Sequence, residues 1–196
     1  MFTGIIECLG KVIELRNENS NLHITVESSI SNELKVDQSV SHNGVCLTVV
    51  EVSNNTHRVT AIDETLQKTN LGKLQLQDVI NMERCTQLGG RLDGHLVQGH
   101  VDQTGECISV SEQNGSWIYT FRYQPSKENL AVEKCSVCVN GISLTAFDAT
   151  GNLFSVAIIP YTYQHTNMRH VKAGSLVNLE FDIIGKYVAR MMEFKL

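Results

Sequence analysis

Two short stretches of the chain combine a tight turn with a residue that can act as a nucleophile. In each of them an Asn-Gly pair, typical of a two-residue hairpin turn, comes shortly before that residue. The candidates are Cys46, within HNGVCLTV, and Ser143, within VNGISLTA. A thiol or hydroxyl can add to a carbon centre when a neighbouring base activates it. One such hairpin alone would most simply use its Cys, Ser and Thr side chains for local hydrogen bonds, but here the pattern occurs twice.

The two stretches belong to a unit that the chain carries twice. Three segments recur. Residues 39–49 match 136–146, and residues 65–83 match 162–180, both at an offset of 97 residues. Residues 4–13 match 99–108 at an offset of 95 residues. A period of this length indicates a duplicated domain rather than a solenoid. The Gly-rich stretch 89–94 is the expected boundary. We therefore predict domains at 1–93 and 94–183, with a separate C-terminal segment at 184–196.

Each unit is expected to fold as a small closed β-barrel. Its segments are short, alternating and rich in β-branched residues, and turn signals break them at roughly ten-residue spacing. Short helices are predicted only after Glu64 and after Tyr161. In the tail, apolar residues at helical spacing predict an amphipathic helix: Ile184, Tyr187, Val188, Met191 and Met192. That apolar face either packs on its own barrel or forms a subunit contact, and periodicity leaves both open.

The composition argues against several classes of partner. A net charge of -5 and a pI of 5.8, without any block of Lys and Arg, argue against nucleic acid. No apolar run approaches the ~18 residues that span a bilayer, and the first residues lack the features of a signal peptide. We therefore expect a cytoplasmic protein with reduced cysteines and no membrane partner. The cysteines lack metal-ligand spacing, which predicts no metal site: Cys8, Cys46, Cys85, Cys107, Cys135 and Cys138.

Alternation along a strand determines which side chains can share a pocket. Cys46 and Thr48 point to one face and Leu47 to the other, and Ser143 and Thr145 likewise share a face. If these faces form the mouths of the barrels, each half binds one flat ligand with a polar edge. Two matching pockets most simply hold two copies of the same or a similar molecule.

The two halves differ at a few positions where chemistry could occur. The second unit has His100, Lys134 and Asp182 where the first has isoleucine, aspartate and cysteine. Such asymmetry suits donor and acceptor roles, because an imidazole relays protons near neutral pH and an ammonium group stabilises an anionic ring. Without a Gly-rich loop between a strand and a helix, no nucleotide cofactor is expected. Four other histidines show no partner spacing and are expected on the surface: His23, His57, His165 and His170.

Several motifs resemble those of riboflavin synthase of the alpha-chain type, over nearly the whole chain. They are MFTGII, HNGVCLTV with its copy VNGISLTA, GHLVQGHVD, ETLQKTNLG and VNLEFDIIGKYV. The resemblance implies two six-stranded Greek-key barrels and a C-terminal helix that gathers three subunits. It implies the last step of riboflavin biosynthesis, in which two molecules of 6,7-dimethyl-8-ribityllumazine dismutate, without a cofactor, to riboflavin and 5-amino-6-(D-ribitylamino)uracil. In that family the active site lies between the N-terminal barrel of one subunit and the C-terminal barrel of the next.

The same resemblance implies which residues form the site. The candidates for the nucleophile and for proton transfer are Cys46, Ser143 and His100. Asp182 and Ser39 are expected to assist them, and Phe2 is expected to close over the ring. One lumazine is expected to contact Gly4, Ile5, Ile6, Cys46, Leu47, Thr48, Thr60, Ala61 and Ile62. The other is expected to contact Gly99, His100, Val101, Lys134, Ser143, Leu144, Thr145, Ile158, Ile159, Pro160, Tyr161 and Thr162. A lumazine synthase shell is a candidate partner. The alternative is a non-catalytic lumazine protein, an antenna that holds the same ligand or a flavin.

Overall fold

The computed structural model of the chain describes residues 1–194, and its first half is a closed antiparallel barrel. Its six strands are β1 Cys8–Glu18, β2 Asn21–Glu27, β3 Ser39–His42, β4 Val45–Ser53, β5 Thr56–Ala61 and β6 Val79–Arg84. Around the barrel they follow the order β1-β2-β5-β4-β3-β6, and β6 closes the ring by pairing with β1. Because β2 lies beside β5 while β3, β4 and β5 are successive neighbours, the connection is a Greek key.

The second half repeats the same barrel. Its strands are β7 Gln103–Gln113, β8 Ser116–Arg122, β9 Ser136–Val139, β10 Ile142–Thr150, β11 Leu153–Ile158 and β12 Leu176–Phe181. Their order around the ring, β7-β8-β11-β10-β9-β12, matches that of the first barrel. The predicted fold class, two similar six-stranded Greek-key barrels followed by a helix, is confirmed. The limits of the domains at 93 and 183 stay predictions.

Within residues 1–194, three α-helices lie outside the strands: α1 Asp63–Lys68, α2 Pro160–His165 and α3 Ile183–Glu193. α1 and α2 occupy equivalent places, directly after β5 and β11, as the sequence predicts. α3 begins at a carboxylate cap, because Asp182 accepts a hydrogen bond from the N–H of Ile184 at 2.9 Å. The end of the predicted tail segment, Lys195 and Leu196, lies outside the described residues.

Alternation fills each barrel from every second position of its strands. In β4, Val45, Leu47 and Val49 are buried, whereas Cys46 is half-buried and Thr48 is exposed. This is the pattern that the sequence predicts for the turn and the strand after it. Each barrel therefore has its own apolar core, and the polar members of its strands remain on the outer face, where a ligand can reach them.

Six asparagines, three from each barrel, form a hydrogen-bond network where the barrels meet, and all of them except Asn70 are buried. They are Asn43, Asn70 and Asn81, with their equivalents 97 residues later, Asn140, Asn167 and Asn178. The Nδ2 atom of Asn81 donates to the carbonyl of Asn140 at 2.9 Å. The equivalent bond runs from Nδ2 of Asn178 to the carbonyl of Asn43 at 2.8 Å. These paired bonds relate the barrels by a pseudo-twofold axis, so the repeat in sequence is also a symmetry of the fold.

The two Asn-Gly turns face each other at this axis. A Cβ atom on Gly44 would lie 2.7 Å from the backbone nitrogen of Gly141, and one on Gly141 would lie 2.8 Å from that of Gly44. Both glycines also have φ above +80°, a conformation that costs other residues free energy. Glycine at both turns therefore lets the barrels dock closely, with the backbones of the two turns in direct contact at the axis.

Candidate active site

An open slot between two strands marks one end of the N-terminal barrel. The pairing of β4 with β5 ends at Val49 and Val59. Beyond that point β4 extends back to Val45 with β3 as its neighbour, and β5 extends on to Ala61 with β2 as its neighbour. The facing edges of the two segments therefore do not pair with each other, and their main-chain polar groups point into the gap.

The C-terminal barrel has the same opening. Pairing of β10 with β11 ends at Ala146 and Val156, 97 residues after the equivalent pair, and both strands continue past it. We call the two openings the N-slot, between residues 46–48 and 60–62, and the C-slot, between residues 143–145 and 157–159. The predicted binding segments of β4, β5 and β10, and the start of the one that follows β11, lie along these slots.

Each slot is completed by a segment from the other half of the chain. The N–H of Cys46 donates to the carbonyl of Gly99 at 2.8 Å, and the N–H of Ser143 donates to the carbonyl of Gly4 at 2.8 Å. Side chains follow the same crossing, because Val101 packs on the N-terminal core, and the equivalent isoleucine of the first half, Ile6, packs on the C-terminal core.

This crossing corrects the expected grouping of the binding residues within one chain. The segment of Gly4, Ile5 and Ile6 lies beside Ser143 and not beside Cys46, and the segment of Gly99, His100 and Val101 lies beside Cys46 and not beside Ser143. The expectation was wrong because similarity between repeats identifies equivalent segments but does not show on which barrel each one packs.

Two buried glutamates, which sequence reasoning missed, hold the crossing segments. Glu83 accepts hydrogen bonds from the N–H of Thr3 at 2.7 Å and of Gly4 at 3.0 Å. Its equivalent, Glu180, accepts from the N–H groups of residues 98, 99 and 100 at 2.6, 2.9 and 2.9 Å. Burial raises the pKa of Glu180 to about 7, although the backbone donors and Lys186 lower it in part. The pair occurs at equal positions of the repeat, a signal by which it could have been found.

In the N-slot the polar groups come from both strands. Burial raises the pKa of the half-buried Cys46 thiol above its ordinary value, so a base must activate it before it can act as a nucleophile. Thr60 is half-buried, and its hydroxyl lies 2.9 Å from Nδ1 of His23. The side chains of Leu47 and Ala61 belong to the barrel core, so these two predicted contacts can reach a ligand only through their main chain.

The C-slot contains a hydroxyl paired with a histidine. Oγ of Ser143 lies 2.7 Å from Nδ1 of His95, and the backbone of His95 donates to the carbonyl of Thr3 at 3.1 Å. Burial lowers the pKa of His95 and so favours the neutral imidazole, the form that can accept a proton, although Asp182 opposes this shift in part. Sequence reasoning missed His95 because it has no counterpart in the first repeat. Nucleophile and base within hydrogen-bond reach are the arrangement that activates a hydroxyl.

The rest of the predicted C-terminal contacts divide between core and surface. Ile158 is fully buried in the barrel. Ile159, Pro160 and Tyr161 are exposed where β11 passes into α2, while Thr162 and Leu144 are half-buried. A ligand in the C-slot can therefore contact the side chains of Ile159, Pro160 and Tyr161 directly.

Two predicted catalytic residues have structural partners in this fold. Phe2 is 1% exposed and packs with Val97 and Cys138, so its side chain is unavailable to close over a bound ring. The carboxylate of Asp182 caps α3, as described above. Ser39 is half-buried and lines a cavity of about 600 Å³ together with Ile5.

Lys134 and His100 lie nearer to solvent. The ammonium group of Lys134 is 72% exposed, lies 3.8 Å from Glu133 and stands 5.6 Å from the ring centre of Phe147. His100 is exposed, and its N–H is bound by Glu180. Residues 1–194 contain no group of three side chains that could hold a metal ion, and no helix within them is long and apolar enough to cross a membrane.

Comparison with known proteins defines first the class of domain. The lumazine binding domain family matches the chain twice, at residues 3–85 and 98–182. Among solved structures, LumP complexed with riboflavin is similar with a TM-score of 0.86 at 19% identity, covering 93% of this chain and 100% of that one. LumP complexed with 6,7-dimethyl-8-(1'-D-ribityl) lumazine gives a TM-score of 0.81 at 18% identity, covering 92% and 98%. At these identities the likeness shows the fold.

Similar sequences then define the family. The chain is 37% identical to riboflavin synthase of Actinobacillus pleuropneumoniae over 98% of its own length and 90% of that protein. It is 35% identical to riboflavin synthase of Bacillus subtilis, over 98% and 90%, and 36% identical to that of Mycobacterium tuberculosis, over 98% of both. The chain belongs to the riboflavin synthase family.

Proposed function

We propose that the N-slot and the C-slot bind the two molecules of 6,7-dimethyl-8-ribityllumazine that a riboflavin synthase converts. The enzyme is a transferase: one lumazine gives a four-carbon unit to the other, which yields riboflavin and 5-amino-6-(D-ribitylamino)uracil. The observation that carries the proposal is the repetition of one open slot with different polar groups. Cys46 and Thr60 serve the N-slot, whereas Ser143 and His95 serve the C-slot. Two equal ligands in unequal surroundings suit a donor and an acceptor.

The shape of the slots fits the edge of such a ring. An imide presents a carbonyl, an N–H and a second carbonyl in a row. An unpaired strand edge presents N–H and C=O groups in alternation, and these can bond to the three groups of the imide. A flat ring can therefore extend the sheet in place of the missing partner strand. Holding two reactants in fixed register can lower a barrier by about 7 to 11 kcal/mol in favourable cases. This effect requires no cofactor, and we propose none.

We assign the activated nucleophile of the C-slot to Ser143. Its hydroxyl adds to an electrophilic ring carbon, its proton passes to Nδ1 of His95, and the ring takes up the electron pair. In the N-slot, His100 and Cys46 remain the candidates for removing a proton from the second lumazine. The backbone of His100 is fixed by Glu180, so the imidazole starts from a rigid point.

We further propose that three chains assemble through α3. Its apolar residues are 50 to 67% exposed and do not pack on the chain's own barrel: Ile184, Tyr187, Val188, Met191 and Met192. The helix itself is firmly held, because Lys186 and Asp102 form an ion pair at 2.7 Å with both side chains less than one-fifth exposed. Sharing of an active site between neighbouring chains, a cytoplasmic location and an enclosing lumazine synthase shell belong to the same proposal.

The second candidate is a non-catalytic lumazine or flavin carrier. The fold of LumP favours it, but that similarity is at 18 to 19% identity, whereas the riboflavin synthases reach 37%. An antenna needs one binding site, while the pair of Ser143 and His95 gives the C-slot a reactive group of its own.

Turnover by single and paired variants tests the assignment. Ser143→Ala and His95→Gln should each slow riboflavin formation by about 10²-fold or more, and the double variant should be no slower than the worse single one, because the pair acts as a unit. Ser155→Ala is the matched control, since Ser155 is a buried hydroxyl of the same barrel whose partner is Thr120 at 3.0 Å. Additive losses, or full turnover in Ser143→Ala, would remove the role given to this pair.

A second comparison addresses the N-slot. His100→Ala should cut turnover strongly while ligand binding survives. Thr166→Ala should act on folding alone, because the hydroxyl of Thr166 donates to the carbonyl of Thr162 at 2.7 Å at the end of α2. Full turnover in His100→Ala would mean that another group moves the proton.

A further inference from the structure

A cation from the C-terminal helix lies beside the carboxylates that hold residues 98–100. Nζ of Lys186, on α3, lies 2.7 Å from Oδ1 of Asp102, and the two side chains are 18% and 16% exposed. The other carboxylate oxygen of Asp102 accepts from the N–H of Phe181 at 2.9 Å. Phe181 directly follows Glu180, whose carboxylate accepts the N–H groups of residues 98–100. The helix and this segment therefore meet at one cluster of charges.

The first barrel neutralises its equivalent carboxylate in another way. Asp102 corresponds to Glu7, and Oε1 of Glu7 likewise accepts the backbone N–H of Arg84 at 2.6 Å. Arg84 also supplies the cation, because its Nε donates to Oε2 of Glu7 at 2.8 Å. The second barrel has the buried, apolar Phe181 at the position of Arg84, so its own strand cannot supply a cation there. Lys186 of α3 takes that part.

The segment held by Glu180 forms one wall of the N-slot. The carbonyl of Gly99 accepts the N–H of Cys46 at 2.8 Å, and Val101 packs on the N-terminal core. Glu180 therefore fixes the backbone from which the side chain of His100 extends. Hydrogen bonds to an ionised acceptor are roughly twice as strong as those to a neutral one. The strength of the three bonds to this wall therefore depends on the charge of Glu180.

The charges around Glu180 decide whether it is ionised. Burial raises the pKa of Glu180 to about 7, the N–H groups of the held segment and the charge of Lys186 lower it in part, and Asp102 raises it. Without the ammonium group, two carboxylates would share a partly buried site, which disfavours the charge of one of them. Loss of Lys186 would therefore increase the protonated fraction of Glu180 at neutral pH and weaken three hydrogen bonds together.

We propose that Lys186 is a positioning residue for the N-slot, through which α3 supplies the charge that keeps residues 98–100 in place. It acts through Asp102 and Glu180 on the wall that carries His100. The C-slot does not depend on Lys186, because its crossing segment is held within the first barrel. The inference rests on the proposed function, and it adds that the helix proposed to assemble the chains also sets the geometry of one slot.

Among residues 1–194, the other charged groups near the cluster do not supply this charge. Lys68 of α1 is exposed, and its pKa is raised first by its partner Glu64, at 2.7 Å, with only a smaller effect of Asp102. Cys138 lies opposite Glu180 on β9, and burial raises its pKa well above the ordinary value, so its thiol stays neutral. The remaining ionisable neighbours are unchanged in every variant below: Cys46, Glu83, His100 and Asp182.

Amide hydrogen exchange tests the inference without relying on turnover. Peptides that cover residues 98–100 are compared by mass spectrometry between the full wild-type chain and Lys186→Met at pH 7. The variant should exchange these amides about tenfold faster, because their bonds to Glu180 lose charge-assisted strength. Peptides that cover Thr3 and Gly4, held by Glu83, should not change. Lys186→Arg, which keeps the charge, should retain slow exchange.

A double variant separates the charge of Lys186 from its mechanical support of α3. In Lys186→Met with Asp102→Asn the link to the helix is still lost, but no carboxylate is left unbalanced beside Glu180. Lys186→Met alone should lower riboflavin formation at pH 7 by about 10- to 100-fold, since small displacements of a positioned group have effects of this size. The loss should shrink toward pH 9, where Glu180 ionises again. The double variant should recover most of the turnover at pH 7 and the slow exchange.

Arg190→Met is the matched control. Arg190 lies on the same helix, is 62% exposed and pairs with Glu193 at 2.6 Å, so its variant should match wild type in exchange and turnover. A loss that persists in the double variant would assign the effect to the seating of α3 and overturn the inference, as would unchanged exchange of residues 98–100 in Lys186→Met. Wild type that forms no riboflavin would instead refute the proposed function, while the exchange result would still decide the role of Lys186.

Discussion

A buried pair of histidines in the N-terminal barrel should make the protein lose stability in mild acid. Nε2 of His42 lies 2.8 Å from Nε2 of His57, and both residues are 1% exposed. Nδ1 of His42 lies 3.1 Å from the carbonyl of Val40, which can only accept, so His42 carries its proton there. His57 must then donate from Nε2 and accept at Nδ1 from Ser31, whose Oγ is 2.8 Å away. Every hydrogen bond in this chain requires two neutral imidazoles.

The size of the effect follows from the pKa shifts. Burial lowers the pKa of His42 from 6.5 to about 3 and that of His57 from 6.5 to about 4. Both values lie below those of the unfolded chain, so the unfolded state binds more protons, and stability falls as pH decreases from 6.5 toward 4. For His57 alone the loss at pH 4 is about 3 kcal/mol, from about 1.36 kcal/mol per pKa unit.

The perturbation is His57→Gln, which keeps a donor for His42 and an acceptor for Ser31 but does not titrate. The free energy of unfolding should then change between pH 7 and pH 4 by about 3 kcal/mol less than in wild type. Urea unfolding followed by circular dichroism at pH 7, 5.5 and 4 measures this. The single Trp117, stacked on Tyr163 at 3.8 Å in the other barrel, reports separately on C-terminal unfolding.

The comparison between variant and wild type cancels the buried glutamates, whose raised pKa values act in the opposite direction. His170→Gln, at an exposed site, is the control for replacing a histidine outside the buried pair. Equal pH dependence in His57→Gln and wild type would refute the reasoning about the neutral pair.

Three further predictions concern docking, metal and the isolated half. Gly44→Ala should lower the free energy of unfolding by about 1–3 kcal/mol more than Gly89→Ala does, measured by thermal or urea unfolding. Both glycines have φ +81°, but only Gly44 contacts another backbone. Equal losses in the two variants would count against close docking. EDTA should leave riboflavin formation unchanged, and activity restored by zinc would contradict this. A fragment of residues 1–92 should form a dimer in sedimentation, because two copies can reproduce the pseudo-twofold contact between the barrels. The fragment should also bind flavin without turnover. A fragment that stays monomeric would argue against the pseudo-twofold contact.

Repetition in the sequence predicted the fold well. Matches at a constant offset require equivalent elements, so one reading of strands and turns served both barrels. Alternation also put Cys46 and Thr48 on one face of the strand and Leu47 on the other, and the structure shows that the first face is the outer one and the second the inner one. These features are local, and local pattern is what a single sequence records.

Long-range pairings were the part that the sequence did not reveal. The crossing of the segments at Gly4 and Gly99 depends on docking between barrels, which leaves no periodic signal. His57 was expected on the surface and is buried, and His23 was expected without a partner and has two. Both lie in strands, where the side chain's face is predictable but its partner on the neighbouring strand depends on register.

The most direct test of the central claim is the product balance of the unmodified protein. Purified protein is incubated with 6,7-dimethyl-8-ribityllumazine alone, and substrate and products are quantified by chromatography with flavin fluorescence. The two-slot account predicts that two lumazines disappear for each riboflavin and each 5-amino-6-(D-ribitylamino)uracil formed, with no added cofactor or metal. Tight binding of lumazine without any riboflavin would contradict it and would identify a carrier instead.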